Sequence, residues 1–89
     1  MSQQDWFVYI IRAADNTLYT GVTTDVSRRF EQHSSGKGAK YLKGRTPIKL
    51  VFQQTIGTRS KAQRIEHWIK QQPKQIKERI TKKLIELPD

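Results

Sequence analysis

Runs of aromatic and β-branched residues alternate along this chain with segments whose apolar residues recur every three or four positions. The first pattern predicts strands over residues 6–13 ("WFVYIIRA"), 17–23 ("TLYTGVT") and 49–56 ("KLVFQQTI"). Residues 14–16 ("ADN") separate the first two strands. Asparagine tolerates the left-handed backbone that ends a three-residue hairpin loop, so Asn16 indicates a hairpin of that kind.

The length of this loop decides where two tyrosines lie. With three loop residues, Ala13 pairs with Thr17 and Tyr9 pairs with Gly21. Tyr9 and Tyr19 then share one face of the sheet, because side chains along a strand alternate between faces. A two-residue loop would place the two rings on opposite faces. Tyrosines are common in sheets for packing alone, so packing is the alternative to a chemical role for these two. Any chemistry that they share requires both to lie on the same face.

Three helices are predicted, and two of them carry polar residues among the apolar residues of one face. They cover residues 25–34, 60–72 and 73–87, the second opening with a capping-box pair, Ser60 and Gln63. The stripes at helical spacing are Val26, Arg29, Phe30 and His33 in the first, Ala62, Ile65, Glu66 and Ile69 in the second, and Ile76, Ile80, Leu84 and Leu87 in the third. Burying a polar group without a partner costs several kcal/mol, so the polar members of these stripes are candidates for a site.

The elements together predict an α/β or α+β fold with a three-stranded sheet and about three helices. A chain of 89 residues suits one domain over residues 1–89. It has 17 basic and 8 acidic residues, a net charge of +9, and no cysteine. Such a charge attracts polyanions, nucleic acid before anionic membrane. No apolar run approaches the ~20 residues of a membrane span, and no secretory signal is visible, which favours a cytoplasmic protein.

A basic, glycine-rich connection between the first helix and the third strand is the candidate nucleic-acid contact. It reads "GKGAKYLKGRTPIK" over residues 36–49. The residues proposed to contact nucleic acid are Lys37, Lys40, Tyr41, Lys43 and Arg45. The alternative is that this segment is only a solvated connection.

Five polar residues on shared or inward faces suit phosphodiester hydrolysis: Tyr9, Tyr19, Arg29, His33 and Glu66. A carboxylate can hold Mg²⁺ or Mn²⁺, and the cation can activate water and offset phosphate charge. An arginine can grip phosphate oxygens in a bidentate manner. A histidine or tyrosine can move a proton, although a phenol with its usual pKa of ~10 needs positive charge nearby to do so near neutrality.

The order of these residues resembles the GIY-YIG nuclease family. "VYI" (residues 8–10) and "YTG" (residues 19–21) are similar to its two signatures, "VSRRFEQH" is similar to its arginine–histidine helix, and "RIEHWI" is similar to the helix with its metal-binding glutamate. The resemblance covers residues 6–72. It is strongest to small stand-alone bacterial members, which also resemble the catalytic subunit of structure-specific junction nucleases.

The resemblance implies a small antiparallel sheet flanked by helices and a metal-dependent DNA endonuclease in repair or recombination. It implies a structure-selective enzyme with low sequence specificity, acting on DNA that includes branched or single-stranded forms. One tyrosine, Tyr9 or Tyr19, would serve as general base, with His33 hydrogen-bonded to the tyrosines. Arg29 would stabilise the transition state, and Glu66 would bind one divalent cation, Mg²⁺ or Mn²⁺.

Two departures from the family pattern keep a second function open. Val8 stands where the first signature has glycine, and the late asparagine of many members has no counterpart, because Asn16 in the hairpin is the chain's single asparagine. The alternative is a nucleic-acid-binding module with the same fold and weak or no cleavage, or one that a protein partner completes. For Glu66 itself, the alternative to metal binding is a surface ion pair with Lys70, four residues later on the same helix.

Overall fold

A computed structural model describes residues 4–88 and has three strands and three α-helices. The strands are Trp6–Arg12 (β1), Leu18–Thr23 (β2) and Lys49–Gly57 (β3). The helices are Val26–Ser34 (α1), Arg59–Lys70 (α2) and Lys74–Thr81 (α3), and a single 3₁₀ turn covers Lys40–Leu42. The predicted α+β architecture with a three-stranded antiparallel sheet is therefore confirmed.

The hairpin has the three-residue loop that its sequence predicts. The Ala13 amide donates to the Thr17 carbonyl at 2.9 Å, and Asn16 adopts a left-handed φ of 71°. Strand β1 lies in the middle of the sheet, between β2 and β3, and Tyr9 lies opposite Gly21. Tyr9 and Tyr19 consequently lie on the same face.

The two faces of the sheet bury two separate clusters. On one face, Val8 and Ile10 pack against the apolar sides of α2 and α3. The other face, covered by α1 and the basic connection, buries Tyr9, Ile11, Ala13, Val26 and Leu42. A tyrosine in the second cluster has its ring held by core packing, which positions a polar hydroxyl from the middle strand.

The first two helices begin at caps that follow the ends of strands. Asp25 caps α1 by accepting from the Arg28 amide at 3.1 Å. Thr58 caps α2 by accepting from the Lys61 amide at 3.2 Å, so the capping box predicted at Ser60 is wrong. Because β3 runs through Gly57, the extended Thr58 is the first residue able to cap the following helix.

Helix α3 is shorter than the predicted 73–87, because its backbone reverses after Thr81. Lys83 has a left-handed φ of 60°, its amide donates to the Ile80 carbonyl, and the Leu84 amide donates to the Arg79 carbonyl. These bonds form a Schellman motif, which ends a helix. The side chain of Leu84 is consequently exposed, although the sequence predicts it on the buried stripe.

A bidentate ion pair between Arg12 and Glu78 joins the sheet to α3. The Arg12 guanidinium donates to both carboxylate oxygens of Glu78, at 2.7 and 2.6 Å. The Arg12 hydrogen bond is the largest cause of a lowered pKa at Glu78. Paired N–H donors of this kind fix orientation as well as distance, so α3 is held at a defined angle to β1.

We predict that two residues of the third apolar stripe differ sharply in their contribution to stability. Ile80 has 0% of its surface exposed and Leu84 has 70% exposed. Ile80→Ala should lower the free energy of unfolding by about 2–5 kcal/mol. Leu84→Ala, the matched control, should change it by less than about 0.5 kcal/mol in the same urea titration. A loss at Leu84 equal to the loss at Ile80 would contradict the end of α3 at Thr81.

Candidate active site

The phenol of Tyr9 is the centre of the candidate site, and a glycine makes room for it. Tyr9 is 2% exposed. Its ring crosses the neighbouring strand at Gly21, where a Cβ atom would lie 2.5 Å from the Tyr9 hydroxyl oxygen. A side chain at this position would therefore displace the phenol. The glycine of the "YTG" segment keeps this space open.

His33 on α1 forms a hydrogen bond of 2.8 Å between its Nε2 and the Tyr9 hydroxyl. The backbone N–H of Ala39 donates to His33 Nδ1 at 3.0 Å. An amide can only donate, so Nδ1 is unprotonated and the proton of the neutral ring resides on Nε2. His33 therefore donates to the Tyr9 oxygen, and the hydroxyl proton of Tyr9 is not directed at His33. The backbone passes this close because Gly38 has no Cβ, which would overlap Nδ1.

Burial and neighbouring charge keep both partners of this hydrogen bond neutral near pH 7. Burial, with smaller contributions from Tyr19 and Glu66, raises the pKa of Tyr9 to about 12, while Arg29 opposes this change. Burial, followed by the positive charge of Arg29, lowers the pKa of His33. The resting site consequently holds a protonated phenol and a neutral imidazole.

Arg29 lies one helical turn before His33 on the same side of α1. Its guanidinium donates to the Gln32 side-chain oxygen at 2.9 Å and is close enough to Tyr9 and His33 to shift their pKa values. Tyr19 completes this group, with its ring centroid 6.4 Å from that of Tyr9 and 5.3 Å from that of His33. Three aromatic rings and one guanidinium thus meet on one face of the sheet.

Glu66 approaches the same cluster from α2, around the outer edge of β2. Its half-buried carboxylate lies 3.2 Å from the Lys70 ammonium, which in turn lies 6.0 Å from the ring centroid of Tyr19. The negative charge of Glu66 makes a small contribution to the raised pKa of Tyr9, so the carboxylate lies in the neighbourhood of the cluster. The structure thus brings Tyr9, Tyr19, His33 and Arg29 together and places Glu66 near them, in its ion pair with Lys70.

The donor set around Glu66 fits a hydrated magnesium ion better than an all-protein cage. Within residues 4–88, no three His, Cys, Asp or Glu side chains lie close enough together to enclose a metal. Mg²⁺ is commonly bound through one or two carboxylates, with water and substrate phosphate in its other positions. Glu66 is the residue that would hold such a cation beside Tyr9.

The basic connection contributes one aromatic side chain and one arginine to the rim of the site. Tyr41 is 45% exposed and stacks on Tyr19, with 5.8 Å between ring centroids and 27° between ring planes. The Arg45 guanidinium lies 4.7 Å from the Tyr41 centroid and also pairs with Asp15. The other three residues predicted to contact nucleic acid, Lys37, Lys40 and Lys43, are exposed along the same segment.

Sequence reasoning missed three groups that shape the site. Gln32 holds the Arg29 guanidinium, and its position three residues later on a helix is a signal that could have identified it. Lys70 belongs to the site as well as pairing with Glu66. The Ala39 amide fixes the His33 tautomer, and a backbone donor leaves no signature in side-chain identity.

We predict that neutral His33 makes stability depend on pH below neutrality. The unfolded ring titrates near pH ~6.5, and the folded ring titrates lower, so the unfolded state binds more protons between the two values. The free energy of unfolding should therefore fall as pH decreases through about 6.5, by at most about 1.4 kcal/mol per pH unit for one proton.

Urea titrations at several pH values measure this dependence. His33→Gln should flatten it, and His67→Gln, at an exposed position on α2, should leave it unchanged. An equal slope in the wild type and in His33→Gln would show that His33 is not the group responsible.

Comparison with known proteins identifies the family of the chain. The GIY-YIG catalytic domain matches residues 5–80. The chain is 57% identical over 75 residues to UPF0213 protein YhbQ of Escherichia coli K12, covering 84% of this chain and 75% of that protein.

Two solution structures share the fold. UPF0213 protein BH0048 from Bacillus halodurans has a TM-score of 0.57 at 41% identity, over 88% of this chain and 83% of that one. Protein EF2693 from E. faecalis has a TM-score of 0.64 at 32% identity, over 93% and 88%. Across residues 4–88, no helix is long and apolar enough to cross a membrane. By its signature, its fold and its relatives, the chain belongs to the GIY-YIG catalytic domain family.

Proposed function

We propose that this protein is a divalent-metal-dependent endonuclease that hydrolyses DNA phosphodiesters. The observation that carries the proposal is the buried His33–Tyr9 hydrogen bond beside a guanidinium and a carboxylate. A GIY-YIG catalytic domain is the context in which this set suits phosphodiester cleavage. A net charge of +9 supports an anionic polymer as the substrate.

Arg29 and Glu66 are proposed to bind the scissile phosphate and its counterion. A guanidinium presents paired N–H donors that match phosphate oxygens, and Gln32 holds this one in place. A divalent cation on Glu66 would lower the pKa of a bound water and offset charge on the phosphate. The Lys70 ammonium is the counterion of Glu66 in the free protein.

Tyr9 is proposed as the group that takes up a proton, and Tyr19 as the residue that holds the cluster together. The Tyr9 oxygen accepts the His33 N–H, and the Arg29 charge lowers its pKa, so both neighbours favour a phenolate. A pKa of about 12 nevertheless keeps the proton on Tyr9 in the free protein. Tyr9 can therefore accept a proton near neutral pH only after its own proton has passed to solvent, and the positive charge of a cation on Glu66 would favour that loss. Tyr19 packs between His33 and Tyr41.

The alternative function, a binding module with little cleavage, has one specific observation in its favour. The chain's single asparagine, Asn16, lies in the hairpin loop and accepts a hydrogen bond from Arg12 at 2.8 Å. Asn16 therefore does not take the place of the late asparagine that many family members have in or near the active site. Salt-sensitive DNA binding without cleavage in either Mg²⁺ or Mn²⁺ would support the module.

We predict that cleavage depends on Glu66 and that binding does not. Branched, single-stranded and duplex DNA should be incubated with the protein in Mg²⁺, in Mn²⁺ and in chelator. Glu66→Gln should lower the cleavage rate at least about 100-fold, because the proposed ligand for the cation is weakened. DNA affinity measured in chelator should change less than about threefold.

Glu86→Gln is the matched control, because Glu86 is exposed at the far edge beside β3. Cleavage that persists in chelator, or in Glu66→Gln at the wild-type rate, would reject the metal-dependent mechanism.

We predict that removing the hydroxyl group lowers the cleavage rate much more at Tyr9 than at Tyr19. Tyr9→Phe should lower kcat about 10²–10⁴-fold, the usual range for loss of a proton-transfer group. It should also destabilise the fold by about 1–3 kcal/mol, because the His33 N–H is left buried and unpaired. Tyr19→Phe keeps the ring and should lower kcat less than tenfold. A larger loss at Tyr19 than at Tyr9, in single-turnover assays, would reverse the assignment.

A further inference from the structure

A groove adjoins the candidate active site and shares two of its residues, and the groove as a whole has no role in the mechanism proposed above. It consists of two adjoining cavities of about 290 and 190 Å³, which share Leu18, Tyr41 and Lys77 as lining residues. Tyr19 and Lys70 line the larger cavity, and both also belong to the catalytic cluster. The groove therefore opens directly into the site and continues past it along the edge strand β2.

One side of the groove is flat and apolar. Tyr41 is 45% exposed, Tyr19 stacks on its ring, and the Arg45 guanidinium lies 4.7 Å from its centroid. An incoming base would therefore stack on the guanidinium plane or displace Arg45 from the ring. Leu18 extends the apolar surface. An aromatic ring at a solvent-accessible cavity is a suitable platform for a nucleobase, because every base has a π-face and stacks with little regard to sequence.

The other side of the groove is positively charged. Lys70 is the last residue of α2, and Lys74 and Lys77 lie three residues apart on α3, hence on one side of that helix. The Lys74 ammonium also donates to the Asn16 carbonyl at 2.7 Å, which holds the start of α3 against the hairpin. A row of ammonium groups facing an aromatic platform suits a nucleotide, with its phosphate towards the lysines and its base against Tyr41.

We propose that this groove binds an unpaired nucleotide of the strand being cut. The inference deepens the proposed nuclease function and rests on it. A base within a duplex has its faces covered by its neighbours and cannot lie against Tyr41, whereas a single-stranded or frayed segment can. Because Tyr19 belongs to both the groove and the cluster, the bound nucleotide lies next to the scissile phosphate. Selection of unpaired DNA then follows from the stacking platform and requires no reading of base edges.

Fluorescence anisotropy in chelator, where metal-dependent cleavage is absent, tests the base-binding side. The probes are a 12-nucleotide thymidine oligomer, an abasic phosphodiester of equal length and a 12-base-pair duplex. Tyr41→Leu should weaken binding of the thymidine oligomer roughly tenfold and binding of the abasic strand less than twofold. Tyr41→Phe keeps the ring and should restore the wild-type affinity. A uridine oligomer with the same Tyr41 dependence would extend the site to RNA, and one without it would restrict the site to DNA.

The charged side is tested by the salt dependence of binding. Lys77→Gln should lower affinity for the thymidine and abasic strands alike and reduce the slope of log affinity against log salt by about 1. Lys83→Gln is the matched control, since Lys83 lines cavities at the opposite edge beside β3, and it should leave the slope unchanged. Unchanged thermal unfolding of each variant separates loss of a contact from loss of the fold.

The groove and the nuclease can fail separately. Equal loss of abasic and base-bearing strands in Tyr41→Leu, or no loss of either, would overturn the groove even if cleavage is observed. Duplex binding as tight and as dependent on Tyr41 as single-strand binding would also overturn it. Tyr41-dependent binding of the thymidine oligomer, with no cleavage in Mg²⁺ or Mn²⁺, would support the groove and reject the nuclease.

Discussion

The hydrogen bond from His33 to Tyr9 is the contact around which the candidate site is built. It joins the middle strand to α1 within the protein interior, and the Ala39 amide on the other side of the ring fixes its direction. Removing either donor would leave a buried polar atom unpaired, which costs more than the bond itself contributes. Two glycines, Gly21 and Gly38, provide the space in which the phenol and the imidazole meet.

The remaining functional groups are placed by the edge strand β2. Within residues 4–88 no strand pairs with its outer side, so α2 can extend Glu66 and Lys70 around it towards rings that project from the opposite face. The same geometry brings the last residue of α2 beside the tyrosines of the hairpin and leads on to the groove beneath α3.

The local sequence pattern predicted the features that depend on the spacing of residues along a helix or on the alternation of side chains along a strand. The hairpin loop follows from an asparagine that tolerates a left-handed backbone, and the shared face of Tyr9 and Tyr19 follows from that loop. The polar positions on two helical stripes led to His33 and Glu66 for a similar reason, because burial makes such residues costly without partners.

What local pattern missed depends on contacts between segments distant in sequence or on backbone groups. The Ala39 amide is a donor whatever side chain it carries, so its role becomes visible only when the connection folds over His33. Helix α3 ends where Lys83 turns left-handed, although a favourable apolar spacing continues beyond it. Thr58 caps α2 because β3 extends as far as its neighbour, whereas the sequence offered an equally good pattern at Ser60.

The hairpin loop contacts two segments that are far apart in sequence, the basic connection and the start of α3. Asp15 holds the arginine that covers Tyr41, while the carbonyl of Asn16 holds the lysine that begins α3. One short loop thus contacts both the aromatic side and the positively charged side of the groove. The distance between the two sides of the groove is therefore fixed within the free protein by contacts to adjacent residues of the hairpin loop.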